Sequence, residues 1–394
     1  MNNLILKSFE KLKEYCEKEN FKGWDPYDGL NSKVFRFFKL NKIRFFRLAW
    51  IQIFKRSPIN LRNITIVEKG YNPKGLGLFL TAYCNLYKVE KKEEYLTKIN
   101  FLAEKIIQTK TLGYAGSCWG YNFDWQSRLE FMPDKTPTVV ATSFVSYGLL
   151  DAYDITGNNT YLNEAISSCD FIINDLNRTY TEEGFIFSYS PLDKMQVYNA
   201  SLLGSRLLSR VYSYNKDEKL IDLALQSIKA CSSVQRKDGA WRFGADKIQT
   251  WVDSFHTGYK LESIAEYQKY SKDYTFKKNI EIGKKYYINN FFLEDGTPKY
   301  YDHKTNPIDI HCPAEFVAAM YRLNNYKETK DIIEKTLLWT IENMQDKKED
   351  FFYYQINSGV PSKIPYMRWA QAWMFYGLSF YLLSEKEQND NCKN

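Results

Sequence analysis

The connections between helices alternate between short and long, and that alternation constrains the fold more than any other feature of the chain. Apolar residues recur at helical spacing over about 3–20, 32–55, 74–89, 92–109, 138–157, 160–177, 197–215, 217–235, 254–271, 274–290, 312–324, 326–345 and 366–385. Short turns near residues 90, 158, 216, 272 and 325 join these segments in pairs, as at Thr156-Gly157-Asn158-Asn159 and Tyr214-Asn215-Lys216-Asp217. Long aromatic, Gly-containing loops over about 110–137, 178–196, 236–253, 291–311 and 346–365 separate one pair from the next. The repeat is about 55 to 60 residues.

Within each pair the first helix is the more apolar and richer in small residues, as from Ala141 to Leu150 or Ala200 to Leu208. The second is amphipathic and carries many Lys and Glu, as from Asp331 to Asn343. That asymmetry marks an inner and an outer helix. The last segment, 366–385, is apolar and has no follower, and the first, 3–20, is amphipathic and has no predecessor. Pairing them closes a ring. The expected fold is all-α: a single (α/α)6 toroid of twelve to thirteen helices over residues 1–388, with a disordered tail at 389–394.

A ring of this kind has a geometric consequence. All inner helices run the same way, so their N-termini and the long loops meet at one rim. The residues to inspect are Asn72, Pro73, Cys118 to Arg128, Thr136, Thr138, Tyr198, Asn199, Ser201, Asp253, His256, Asp309, His311, Arg368 and Gln371. Six helix N-termini facing one cleft favour anionic groups there.

Three local patterns stand out at that rim. In WVDSFHTGY (251–259), Asp253 or Ser254 caps a helix, with Ser254 the simpler cap. Asp253 is then free to face the cleft, and a helix N-terminus favours neutral imidazole at His256. Asp309-Ile310-His311 repeats the theme one hairpin later; it caps, binds substrate or donates protons. In SCWGYNFDWQSRLEF (117–131), Trp119, Tyr121, Phe123 and Trp125 are stacking platforms. There Asp124 and Arg128 either pin the loop as an ion pair or serve as catalytic carboxylate and anion clamp. Asp25 and Asp28 of GWDPYDGLN read as a structural turn. Arg368, in PYMRWAQAW, must face the cleft or a buried carboxylate. His303 reads as an exposed loop residue.

Aromatics reach 17%, which fits either the codon bias of an AT-rich genome or a cleft lined with rings. The net charge of +7 is modest for 394 residues. Basic residues cluster early, at Lys33, Arg36, Lys39, Lys42, Arg44, Arg47, Lys55, Arg56 and Arg62. They read as a solvated helix face before they read as an anion-binding surface, and no nucleic-acid fingerprint accompanies them. Seven widely spaced cysteines without a CxxC pair argue against a disulfide framework and a zinc site, so reduced thiols in a cytoplasmic protein are expected. The start, MNNLILKSFEKLKEY, lacks the apolar core of a signal peptide, and no run of 18 apolar residues predicts a membrane span. No metal and no cofactor are expected.

Two resemblances bear on function. QRKDGAW (235–241) resembles the Gln-x-x-Asp-Gly-x-Trp turn of terpene cyclases and related toroids, which staples one hairpin to the next. The acidic cyclase motif DxDD is absent, as is the Cys-His-Gly zinc signature of LanC-type cyclases. GWDPYDGLNS, QIFKRSPINLR, NPKGLGLFLTAY, CWGYNFDWQSR, TPTVVATSFVSYGLLDAY, DSFHTGYKLESI and MRWAQAWMFYGL together resemble a bacterial and archaeal family. Its members are encoded in exopolysaccharide and surface-glycan loci and are often mislabelled aminolevulinate dehydratase-like. The resemblance implies the six-hairpin glycosidase-like group, which holds glycoside hydrolases, lyases and sugar epimerases. By likeness to unsaturated glucuronyl hydrolases it implies rim carboxylates at Asp124 and Asp253.

The expectation is therefore a carbohydrate-active protein acting on a glycan, acidic ones included, in surface-polysaccharide metabolism. Hydrolase-like acid/base chemistry comes first, with Asp124, Asp253 and His256 as catalytic residues. Trp119, Tyr121, Trp125 and Trp251 would stack on sugar. Arg128, Asn199, Asp309, His311, Arg368 and Gln371 would bind or position it. Epimerisation or elimination would make His256 the base instead. A glycan-binding scaffold without catalysis is the third reading.

Overall fold

The computed structural model describes residues 1–127 and 130–391, and fourteen α-helices dominate them. In chain order they are α1 (Asn3–Lys18), α2 (Lys33–Phe37), α3 (Arg44–Arg56), α4 (Pro73–Val89), α5 (Glu93–Gln108), α6 (Val139–Thr156) and α7 (Asn159–Asn174). There follow α8 (Tyr198–Asn215), α9 (Glu218–Ser233), α10 (Ser254–Ser271), α11 (Lys277–Phe291), α12 (His311–Arg322), α13 (Tyr326–Met344) and α14 (Ala372–Asn391).

Six of them form the inner wall. Helices α4, α6, α8, α10, α12 and α14 each pack on the next, and α14 returns to α4. They are buried on every side for most of their length, as in the unbroken buried run Pro73 to Leu86 of α4. The outer helices α5, α7, α9, α11 and α13 each pack on the preceding inner helix, and α1 packs on α14. They bury one stripe only, such as Tyr95, Ile99, Leu102, Ala103 and Ile106 of α5. The closed (α/α)6 toroid and the pairing of first and last helices stand as the sequence pattern required.

Local chemistry sets the helix ends. Asn72 and Thr138 accept hydrogen bonds from the backbone N–H of Gly75 and Ala141, capping α4 and α6. Gly157, Lys216 and Lys272 turn left-handed after α6, α8 and α10. Where α4 crosses α6, Gly77 and Gly148 meet backbone to backbone. A Cβ on either would lie 2.8 Å from a carbonyl oxygen of the other helix.

The QRKDGAW segment is a staple in this fold too. Gln235 Nε2 donates to the carbonyls of Gly239 and Asn279, and Asn279 returns a bond to Gln235 Oε1 at 2.7 Å. Two ribbons in the long loops pair β1 (Trp125–Gln126) with β2 (Phe131–Met132) and β3 (Arg178–Thr181) with β4 (Gly184–Phe187). A third ribbon orders β5 (Ile308–Asp309), β6 (Gln355–Asn357) and β7 (Val360–Pro361) side by side.

Buried ion pairs cross-link the inner helices below the cleft. Arg206 of α8 meets Glu262 of α10 at 2.6 Å, and Arg322 of α12 approaches the same carboxylate at 3.5 Å. Arg210 meets Asp151 of α6 at 2.8 Å.

Two expectations about elements are corrected. The helix expected over 32–55 is broken into α2 and α3 at a turn around Lys39, whose φ is +57°. The break lets Phe35 and Ile51 pack on Leu30 from both arms. Helix α14 continues to Asn391, so 389–391 are helical, and residues 392–394 lie outside the described residues. Among the described residues no helix is long and apolar enough to cross a membrane.

Candidate active site

The inner-helix N-termini converge on one cavity of about 530 Å³. Lys74 of α4, Val140 of α6, Asn199 of α8, His256 of α10, His311 of α12 and Arg368, in the π-helical turn before α14, all line it. A π-turn widens a helix by one residue per turn and recurs at functional sites. Rings make most of the wall: Tyr121, Trp125, Tyr189, Phe243, Trp251, Tyr300 and Trp369. A neighbouring cavity of about 420 Å³ shares Tyr27, Lys55, Tyr300, Tyr301 and Trp369 with it.

Asp253 and His256 form a dyad at this rim. Asp253 Oδ1 accepts the His256 backbone N–H at 3.0 Å, so Asp253, not Ser254, caps α10. Its Oδ2 accepts from His256 Nδ1 at 2.8 Å and from Trp251 Nε1 at 3.0 Å. Burial would raise the Asp253 carboxyl, but the pull of His256 wins and holds it below the usual carboxylate range. Burial also lowers His256, more than Asp253 raises it. The imidazole is therefore neutral near pH 7. With Nδ1–H assigned to Asp253, Nε2 carries the lone pair and is the nitrogen left for the cavity.

A second pair lies beyond Phe255, whose ring stacks on His311 at 4.1 Å and touches His256 at 4.3 Å. His311 Nε2 is 2.6 Å from the Tyr259 hydroxyl, and its Nδ1 is buried without a partner. Burial, and then Lys74, push His311 well below the ordinary histidine value. If Tyr259 donates to Nε2, the remaining proton sits on Nδ1. Asp309 holds the His311 backbone N–H at 3.0 Å and accepts from Trp369 Nε1 and Gln355 Nε2. Burial raises Asp309 to about 6.

Lys74 is the notable cation of the cavity. It is buried, and its ammonium lies 4.4 Å from the Phe144 ring centroid and 5.1 Å from that of Trp373. Among the described residues Glu315 and Asp25 act on it only through space, with no ion pair formed. Burial and then Arg368 hold it well below the ordinary lysine value. Arg368 itself is neutralised by a two-pronged bond to Asp25. Arg62 Nε donates to Asp28 at 2.7 Å, and its Nη2 donates to the Asp25 carbonyl.

The expected site residues divide. Asp253, His256, Tyr121, Trp125, Asn199, Trp251, His311 and Arg368 are gathered at or directly behind the cavity wall. Asp309 stands behind His311 and faces the neighbouring cavity. Three expectations are corrected. Trp119 is wholly buried and donates its Nε1–H to the Ile106 carbonyl, so it offers no stacking face. Asp124 does not line the cavity; it accepts from Arg36 at 3.1 Å and from the Asp134 backbone N–H. Gln371 spends its amide on both backbone groups of Phe352 and is structural. Arg128 lies outside the described residues. The sequence reading missed Lys74, Tyr189, Tyr259, Phe243, Tyr300 and Trp369. A lysine directly after the helix-opening proline of the apolar run PKGLGLFLTAY was the one signal available for Lys74.

No protein-family model and no curated protein sequence matches the chain. Solved structures do share its fold. A cellobiose 2-epimerase from Bacillus thermoamylovorans superposes with a TM-score of 0.66 at 14% identity, covering 98% of this chain and 100% of that one. An unsaturated glucuronyl hydrolase specific for heparin gives 0.64 at 12% identity, with 98% and 99% covered. A sugar epimerase from a ruminal bacterium gives 0.62 at 17% identity, with 80% and 88% covered. At these identities the likeness is one of fold.

Proposed function

We propose that this chain is a carbohydrate-active enzyme that epimerises an acidic sugar, using His256 to move a proton off the carbon next to the sugar's carboxyl group. The Asp253–His256 dyad carries the reading, because it presents a neutral, oriented imidazole to a ring-lined cavity. In the step, His256 Nε2 takes the proton, the C–H bond breaks, and its electron pair passes into the adjacent carboxyl group as an enediolate. Lys74 holds that carboxyl group, and the added charge develops beside its ammonium. An arriving carboxylate also restores the charge that burial discourages on Lys74. With the His311 proton on Nε2 and donated to the Tyr259 oxygen, the Tyr259 O–H is free to return a proton to the carbon and re-form the C–H bond. Inversion requires delivery from the face opposite His256. The proton gained by His256 and the one lost by Tyr259 are then exchanged with solvent. No oxidant is consumed. Trp125, Trp251 and Trp369 stack on sugar faces.

Hydrolysis, placed first by the sequence, has less support. It needs two carboxyl groups flanking the scissile bond. Among the described residues no Asp or Glu lines the cavity that His256 faces, Asp124 is tied to Arg36, and Asp253 is occupied by three N–H donors. Sugar epimerases and a glycan hydrolase both stand among the similar structures, so the fold accommodates either chemistry. The resemblance to surface-polysaccharide proteins supports a glycan setting.

The test is proton NMR in D2O with uronate-containing and neutral oligosaccharides. The expected result is loss of the ring-proton signal next to the carboxyl group, abolished by His256→Asn. A new reducing end would mean hydrolysis and overturn the proposal. A new vinyl proton would mean elimination from the same carbanion. Exchange confined to neutral sugars would remove Lys74 from its role.

A further inference from the structure

The segment from Lys33 to Arg56 takes no part in the ring. It carries eight basic residues and no acidic one. Folded as α2, a tight turn at Leu40–Lys42 and α3, it anchors one side to the molecule through Phe35, Ile51 and Phe54, all buried. Arg36 and Arg47 fix it further, reaching Asp124 and Gln126.

The other side is exposed but not polar. Phe37 is 79% exposed, Phe38 64% and Phe45 71%, and Ile43 and Phe46 are also open to solvent. The rings sit in two edge-on pairs, Phe37 with Phe38 at 5.3 Å and Phe45 with Phe46 at 5.6 Å, one on each arm of the hairpin. Lys39, Lys42 and Arg44 are exposed in the turn between them. Large apolar side chains gathered at a protruding tip signal an interaction surface. Here they are interleaved with cations, and that combination selects the partner. Phe side chains enter the boundary between lipid headgroups and acyl chains, while Lys and Arg pair with anionic headgroups. A nucleic acid would satisfy the cations without needing the open Phe and Ile side chains.

We propose that this hairpin seats the protein on an anionic phospholipid surface, lying on the bilayer rather than crossing it. The inference is independent of the epimerase reading. It has a consequence for access, because Lys55 near the end of α3 lines the cavity together with Tyr27. A membrane-seated hairpin therefore holds the cleft mouth close to the bilayer.

The test is co-sedimentation of the full chain with vesicles of phosphatidylcholine alone and with about one quarter phosphatidylglycerol. Binding is expected only to the anionic vesicles, weakening as salt rises from about 0.1 M to about 0.5 M. Phe37→Ser with Phe45→Ser should weaken it about tenfold or more. Lys39→Glu with Lys42→Glu should do the same. All four positions are exposed, and unchanged circular dichroism and thermal midpoint would show that the fold is kept. Three results overturn the proposal: no partition into anionic vesicles; vesicle binding unaffected by the Phe pair, with single-stranded RNA bound equally well; or lipid-free dimerisation, in sedimentation velocity, that the Phe substitutions abolish.

Discussion

Asp253 does two jobs with one carboxylate. Oδ1 caps α10 and Oδ2 orients His256. The two are separable by substitution. Asp253→Asn keeps an oxygen for the cap but sets an NH2 against the Trp251 and His256 N–H groups that Oδ2 accepted. A stability loss of about 1–3 kcal/mol is expected from those buried donors and none from the cap. Its amide N–H cannot accept the Nδ1 proton, so the imidazole turns to the wrong tautomer and exchange of the substrate proton should fall about 10²–10⁴-fold. Asp253→Ala should lose the same activity and about 1 kcal/mol of cap stability besides. Thermal melts and deuterium-exchange rates read the two effects apart; an active Asn variant would sink the base assignment. The dyad also fixes the pH profile. Only neutral His256 accepts a proton, and its pKa lies below 6.5, so activity should rise with pH through a midpoint below 6.5. It should fall again where Lys74, held below the ordinary lysine value, loses its ammonium proton. Much of this was legible, since three-residue spacing at a helix start brings Asp253 and His256 together. The identity of the cap was not, because Ser254 and Asp253 satisfy the same rule and only the backbone decides. Asp124 was misread because its partner, Arg36, lies 88 residues away in a hairpin whose bend the periodicity conceals.

At the scale of elements, periodicity found every helix of the ring, because each inner helix is rich in apolar and small residues and each outer helix is apolar along one stripe. It failed at 32–55, where a continuous helical pattern is interrupted by a left-handed Lys39. Nothing in the local sequence demands that turn. Burial of Phe35 and Ile51 on one apolar patch does. The Gln235 staple was legible as a motif, and its energetics are testable. Gln235→Ala removes bonds to Gly239 and Asn279 and leaves the Asn279 side chain without its acceptor. A loss of about 1–3 kcal/mol in urea unfolding is expected, with exchange activity unchanged at 25 °C. A variant as stable as the parent would mean that water replaces the staple at no cost.

Ring closure has a consequence for the molecule as a whole. Six inner helices leave an axis that the rings of Phe144, Tyr259 and Trp373 fill in part, and Arg206, Glu262, Arg322 and Glu315 gather inside the ring as well. The sequence reading did not single these residues out, since they come from three different hairpins and only ring closure brings them together. Glu315 is the exception among them, fully buried with neither carboxyl oxygen hydrogen-bonded. Burial, and then the nearby Glu262, push it well above 4.5. The folded chain therefore keeps a proton on Glu315 that the unfolded chain releases as pH rises through about 4.5. Stability contributed by this proton is present below the unfolded pKa and is lost as pH climbs toward the folded one. Glu315→Met fills the same space without a titrating group. It should be more stable than the parent by about 1–3 kcal/mol near pH 4, where the buried acid is neutral but unpaired, and by more at pH 8. Urea unfolding at the two pH values measures the difference. A gain that stays the same at both would show that Glu315 is ionised in the folded chain, held by a cation such as Lys74, and that the axis is wetter than its packing implies.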